Sequence, residues 1–228
     1  MTGADSIDWF ASRRSIRAFA PRAVEHAVLE RLLSAAVCAP SSTNRQPWRF
    51  TVVTAPELRR RLVTAVQTNA EAIKSVIRSS HHAQDFSNYG DFFHEPLESA
   101  PVIVVPQCRA YPDLIAGFLE SAGADPARFQ TPAGMPAEVC ATAAAVMLLL
   151  LQAHAEGLGA CWMAGPMVAE REIAQLIDVP TPWRILGAIA IGHPSSPPPP
   201  GPTRKPIERV VHWLEDETEA KNKKGNDS

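Results

Sequence analysis

Two arginine-bearing segments and one loop dense in hydroxyls and amides hold most of the recognition chemistry in this 228-residue chain. The first segment is Arg13-Arg14-Ser15-Ile16-Arg17. A guanidinium offers several planar N–H donors that match a phosphate dianion, and the serine hydroxyl adds another donor. In an extended segment Arg13, Ser15 and Arg17 share one face while Ile16 turns to the core. The same residues would also serve as a solvated basic turn. The loop runs Pro40-Ser41-Ser42-Thr43-Asn44-Arg45-Gln46-Pro47-Trp48. Two prolines frame side chains that can hydrogen-bond the polar edge of a ring, and a plain connector would need fewer donors. Arg204-Lys205-Pro206-Ile207 follows a proline run near the C-terminus. Alone it reads as a surface charge pair, and it gains meaning only if it returns to the first arginines.

The elements that must position these segments alternate between helix and strand. Residues 5–13 read as a short amphipathic helix. From Val24 to Val37 the apolar positions Val28, Leu29, Leu32, Leu33, Ala36 and Val37 repeat at helical spacing, and Pro40 stops that helix. RFTVVT at 49–54 reads as a strand, and Pro56 opens a second long helix to about Ser80. Residues 81–99 show no clear period. PVIVV at 101–105 is a continuous apolar run, as a strand buried on both faces would be. Residues 107–135 contain several Pro and Gly and read as an excursion over the core. The span 137–156 is a helix apolar on nearly every side, expected to be buried all round. Gly157 to Gly159 end it, ACWMAG leads into a turn, Ala169 to Ile177 forms a helix, and ILGAIAIG at 185–192 a strand. PSSPPPPGP is a stiff spacer, and the polar tail after Trp213 is expected to be disordered. This order predicts an α+β or three-layer arrangement around one sheet, with an interface supplying part of the burial.

Composition narrows the functional classes. A net charge of -2 gives no basic excess to track a nucleic-acid backbone. The first residues lack the apolar core of a signal peptide, and Val139 to Leu151 is short for a bilayer span, which needs about 20 residues. Nucleic-acid and membrane partners are therefore not expected. Cys38, Cys108, Cys140 and Cys161 stand at wide spacings with no metal pattern, so they read as reduced thiols of a cytoplasmic protein.

RRSIRAF, APSSTNRQPWRF, GLGACWMAG and RKPIERVVHW, in that order and spacing, resemble the FMN-dependent nitroreductase family. The resemblance covers nearly the whole chain from Ile7 to Trp213. It implies one FMN-binding domain over 1–213, an α+β three-layer α/β/α fold with a central, mostly antiparallel sheet. It also implies an intertwined homodimer whose FMN sites lie at the subunit interface, with 81–135 as a variable substrate-side excursion. By this resemblance Arg13, Arg14 and Ser15 hold the phosphate and ribityl chain. Arg17 lies near the N1 and O2 edge of the flavin, where a positive charge raises the reduction potential. Pro40, Ser41, Ser42 and Asn44 contact the flavin from the partner subunit. Ala164 and Gly165 bring backbone near N5 and O4, and Arg204 is a further phosphate-binding cation. The family often has an Asn or Lys at the pyrimidine edge. Here that region reads Phe92-Phe93-His94-Glu95-Pro96, and no equivalent can be assigned.

The activity implied is that of an NAD(P)H oxidoreductase, with NADH or NADPH as donor, reducing nitroaromatic, quinone or related acceptors by a ping-pong mechanism. The flavin carries the chemistry, so no catalytic side chain and no metal are expected. Tyr89, Phe92, Phe93, Phe118 and Phe129 are candidates to stack on an aromatic acceptor, or a small accessory core. His94 is the one histidine of the seven that could reach the ring. No GxGxxG follows a strand, so the nicotinamide has no separate fingerprint. The alternatives are a specialised enzyme of the same scaffold (a dehalogenase, oxidase or dehydrogenase), a protein that stores or senses FMN without turnover, and a flavin-free interaction protein.

Overall fold

The computed structural model of the chain describes residues 3–78, 90–111, 114–129, 136–198 and 200–213. The chain divides into two compact units, Met1–Pro198 and Pro199–Ser228. Within residues 200–213 the second unit has a single 3-10 turn, Ile207–Arg209, with Ile207, Val210 and Trp213 exposed. The expected tail at 214–228 lies outside the described residues.

The first unit contains seven α-helices among the described residues. They are α1 (Gly3–Ser12), α2 (His26–Ala36), α3 (Pro56–Arg78), α4 (Asp91–Ser99), α5 (Leu114–Ser121), α6 (Ala137–Ala155) and α7 (Glu170–Leu176). Its strands are β1 (Trp48–Val53), β2 (Val102–Arg109), β3 (Gly159–Met163), β4 (Trp183–Ile185) and β5 (Ala188–Gly192). Pro56 opens α3, where a missing N–H costs nothing because the first turn leaves its donors free. The sheet order is β1-β2-β5-β3, with β4 also pairing β2, and every strand pair is antiparallel.

Strand β2 explains the layering. Val102 and Val104 point into a core built with Leu29 and Leu32 of α2 and Ala145 and Leu149 of α6. Ile103 and Val105 point the other way, against Leu62 and Val66 of α3, Leu97 of α4 and Ile173 of α7. Both faces are covered, which makes the strand apolar at successive positions rather than alternating. The result is a three-layer α/β/α arrangement around an antiparallel sheet, as expected.

Four expectations need correction. Residues 91–99 form α4 although no period was evident. Phe93, Pro96 and Leu97 are buried at helical spacing, but nine residues with an internal proline give too short a repeat to stand out. ACWMAG is largely strand, since β3 runs to Met163. The run 185–192 is broken into β4 and β5 by Gly187, whose φ is +86°. The break lies opposite Pro106 of β2, which has no N–H to give the ladder. Finally, α6 is not buried all round. Ala145, Val146, Leu149 and Ala153 are fully enclosed, while Met147 is 45% exposed and Cys140 also faces out. By length and composition α6 could cross a membrane, yet here it packs as the core helix of one sheet face.

Candidate functional site

The segment after α1 runs along the free edge of β3. Ser15 bridges Ala160 in parallel, and the Ile16 N–H donates to the Ala160 carbonyl at 3.1 Å. Ile16 turns inward and packs on the core. Gly159 makes this possible: a Cβ there would sit 2.7 Å from the Ile16 Cβ. With Ile16 anchored, Arg13, Ser15 and Arg17 all act on one group, the Cys161 thiol. Burial pushes that thiol up from its ordinary value, while Arg17, Arg13 and a hydrogen bond with Ser15 pull it down.

Two cavities flank this pairing. The larger, about 710 Å³, is lined by Arg17, by Cys161 to Gly165 of β3 and the turn after it, by Met167 and Val168, and by Phe92 and Phe93 of α4. Phe93 is buried and packs on the Ala164–Gly165 turn; a Cβ on Gly165 would lie 2.3 Å from its Cδ1. Phe92 meets Phe93 edge to face at 4.6 Å between centroids and is 56% exposed at the mouth. Trp162, partly exposed, is fixed by its Nε1–H donating to the Leu186 carbonyl at 2.7 Å. The space is thus a slot with an apolar, aromatic lining and one guanidinium.

The smaller cavity, about 220 Å³, has Ser12, Arg13, Arg14 and His154 on its polar side and Leu150, Leu158 and Ala160 on its apolar side. Arg14 donates to the carbonyls of Ala11 and Arg13, and its Nε is buried without a partner. Among the described residues neither arginine has a carboxylate partner, and no carboxylate lines the cavity.

The sequence-derived candidates fall into separate groups. Arg13 and Arg14 line the smaller cavity, Arg17, Ala164, Gly165, Phe92 and Phe93 the larger, and Ser15 lies between. Pro40, Ser41, Ser42 and Asn44 are elsewhere. Their loop leads into β1, at the opposite edge of the sheet from Ser15, about four strand spacings or ~19 Å away. The loop is well organised: Thr43, Asn44 and Gln46 have φ near +50°, and the Ser41 hydroxyl accepts from the Gln46 N–H at 2.9 Å. His94 points to Glu98 (2.8 Å) and Gln67 (3.3 Å), joining α4 to α3, and is not among the lining residues. Phe118 and Phe129 are exposed on and after α5 and line neither cavity. Tyr89 lies outside the described residues, and Arg204 is in the second unit. Sequence reasoning missed Cys161, Trp162, Met163 and Met167, although GLGACWMAG carried most of them. It also missed His154, whose place at the end of α6 gives no local signal.

The chain thus sets an apolar, aromatic slot with one guanidinium beside a small arginine-lined pocket. A family model described as the nitroreductase family matches residues 10–193, and the chain belongs to that family. Over 100 residues it is 32% identical to iodotyrosine deiodinase of Haliscomenobacter hydrossis, a match spanning 43% of this chain and 45% of that protein. It is 28% identical over 184 residues to 5,6-dimethylbenzimidazole synthase of Rhodobacter capsulatus, covering 80% of each. Among solved structures, a BluB-like flavoprotein from Clostridium difficile 630 superposes with a TM-score of 0.80 at 22% identity, over 92% of this chain and 99% of that one.

Proposed function

We propose that the protein is an FMN-dependent NAD(P)H oxidoreductase that reduces small aromatic, quinone-like or nitroaromatic acceptors and works as a homodimer. The observation that carries this reading is the pair of cavities on either side of the Ser15–Ala160 bridge. One fits an apolar ring with a cation at its edge. The other presents two arginines with no carboxylate among the described residues, as a phosphate monoester needs. FMN, when bound, supplies a centre that accepts hydride from a nicotinamide and passes electrons to an acceptor.

The residues have distinct tasks in this reading. Arg13, Arg14 and Ser15 hold the phosphate and ribityl chain. Arg17 sits at the ring edge, where its charge favours the electron-rich state. The Ala164–Gly165 turn brings backbone to the far side of the ring, and Phe93 fixes that turn from behind. Phe92 and Trp162, both partly exposed, flank the space an acceptor would fill. No carboxylate or histidine lines the larger cavity among the described residues, so these side chains position and exclude water rather than shuttle protons. The distance of the Pro40–Asn44 loop from Arg17 in one chain supports its service to the partner's site, with Met147 and Cys140 of α6 on the surface the dimer covers.

A second reading stays within the family: a dehalogenase or a dimethylbenzimidazole-forming synthase, which the names of the two relatives favour. One experiment addresses both. The purified protein is examined for a flavin spectrum, then mixed without oxygen with NADH or NADPH, and finally offered a nitroarene, a quinone or a halogenated phenol. Bleaching by a nicotinamide and recovery with a nitroarene or quinone is the expected result. Recovery with the halophenol alone favours the second reading. A protein that neither contains nor takes up FMN refutes both.

A further inference from the structure

His154 is tied into the smaller cavity by a hydrogen-bond chain whose proton positions can be worked out. The Ser12 hydroxyl lies 2.7 Å from the Trp9 carbonyl and 2.9 Å from His154 Nε2. A serine has one hydrogen, and the carbonyl can only accept, so that hydrogen goes to Trp9. Ser12 Oγ must then accept from Nε2–H. Nε2 is therefore protonated whatever the charge of the ring, and any further proton enters at Nδ1. The Trp9 ring, 5.2 Å from the imidazole between centroids, holds it in place.

Resting on the flavin reading above, we propose that His154 is a further ligand-binding group of this pocket. It takes up a proton at Nδ1 when a phosphate monoester enters between Arg13 and Arg14, so that FMN is held more tightly as pH falls.

The groups around His154 all favour this. From α1 it meets Ser12 and the Trp9 carbonyl, and from the extended segment Arg13 and Arg14. Pro194 and Pro198, beyond β5, cannot ionise. On its own helix Glu156 is the nearest acid in sequence, and it is committed to Arg31 of α2 at 2.7 and 2.8 Å. Three groups able to carry positive charge thus share about 220 Å³ with no acid lining it among the described residues. Burial first, then Arg13, holds the imidazole below its ordinary value, with Arg14 adding to this and the Trp9 carbonyl opposing it. A dianion placed among them reverses the arginines' effect, and the ring's affinity for a proton rises. The sign follows by linkage. Binding that raises a pKa takes up a proton and strengthens as pH falls through the pKa of the complex, levelling off below that of the free protein. Each unit of rise makes FMN bind about tenfold more tightly at the acid end.

The test follows the His154 ring by NMR in protein labelled at histidine, titrated with pH in the flavin-free protein and with FMN, riboflavin or inorganic phosphate. FMN and inorganic phosphate should raise the His154 pKa, and riboflavin, which lacks the phosphate, should not. In parallel, FMN dissociation constants are measured from about pH 5.5 to 7.5, across the ordinary histidine range, for wild type and His154→Gln. The variant-to-wild-type ratio should grow severalfold toward acid for FMN and stay flat for riboflavin. The phosphate's own ionisation cancels in that ratio. FMN binding with an unmoved His154 overturns the inference and spares the flavin reading. A pKa raised by inorganic phosphate in a protein that binds no flavin does the reverse. If neither FMN nor phosphate moves His154, the pocket is not an anion site linked to this histidine.

Discussion

Replacing Gly165 by alanine places a Cβ 2.3 Å from Cδ1, 2.6 Å from Cγ and 3.0 Å from Cβ of Phe93. Carbon atoms attract best at about 3.5–4.0 Å, so the turn and the ring must separate by roughly 1 Å. Gly165 does not have a positive φ, which makes the substitution a test of space alone. The ring has little room to yield: Phe93 is 8% exposed and belongs to the core that includes Leu97 and Val66. Overpacking of this kind costs about 1–3 kcal/mol. For a protein of this size each kcal/mol lowers Tm by about 2–4 °C, giving a loss of about 2–12 °C. The displaced peptide is the one proposed to face the flavin, so the ratio of flavin to protein absorbance in the purified variant should fall as well. Phe93→Ala alone costs about 3–5 kcal/mol through its cavity. Combined with Gly165→Ala it should cost less than the sum, because the new Cβ occupies vacated space, and coupling between touching residues reaches about 0.5–3 kcal/mol. Thermal melts and flavin occupancy of the four proteins, at one protomer concentration, read out the cycle. A Gly165→Ala variant that melts with wild type and keeps its flavin, or a double variant whose losses simply add, would refute the packing argument.

Arg17→Gln should retain a folded protein but lower the reduction potential of bound FMN, by about 30 mV for each ~1.4 kcal/mol of charge stabilisation lost; a dye-equilibrium titration reads the shift, and an unchanged potential removes Arg17 from the ring edge. Arg31 holds the Glu156 carboxyl down to about 2. The stabilisation from that pair is therefore present above the ordinary carboxylate range and fades as pH drops toward 2. Melting curves against pH should show wild type losing its advantage over Glu156→Gln across that acid limb, and a constant difference would mean the pair does not link α2 to α6 in solution. Co-expressing an Arg13→Ala chain with a Ser42→Ala, Asn44→Ala chain should give mixed dimers with one intact and one doubly altered site, and so with flavin that neither homodimer holds. Colourless mixed dimers would place loop and arginines in the same chain's site.

How much was legible follows from which residues act locally. PVIVV was readable because both faces of β2 are covered, so the burial is written into consecutive residues. Strand β3 was not, because its five residues include a glycine and an alanine and its neighbours, β5 and Ser15, are distant in sequence. The alternation Arg13, Ser15, Arg17 against Ile16 could be inferred from extended geometry alone. That Gly159 is what lets Ile16 approach could not, since nothing near Gly159 in the chain names its partner. His154 was invisible for the same reason: its meaning comes from α6 ending beside α1, a fact of packing rather than of pattern. The opposite-edge position of the Pro40–Asn44 loop likewise follows from strand order, which a list of elements does not contain.

The two glycines that bracket β3 divide the labour of the larger cavity. At Gly159 the close approach is of Ile16, which fixes the segment bearing Arg17; just beyond the other end, at Gly165, it is of Phe93, which fixes α4. Between them β3 lies in the sheet, hydrogen-bonded to β5 on one side and bridged to Ser15 on the other. The parts that would hold a cofactor are therefore set by buried backbone contacts, where a shift of an ångström is costly. The parts that would choose an acceptor are not. Phe92, on the outer face of α4 and lining the slot, is exposed and makes little of the core. A substitution at Phe92, which lines the slot, can change what stacks there without disturbing β3 or its two neighbours. One ring site can then serve several acceptors, and divergence of activity within the family should be sought first on the exposed face of α4, not in the arginines or the glycines.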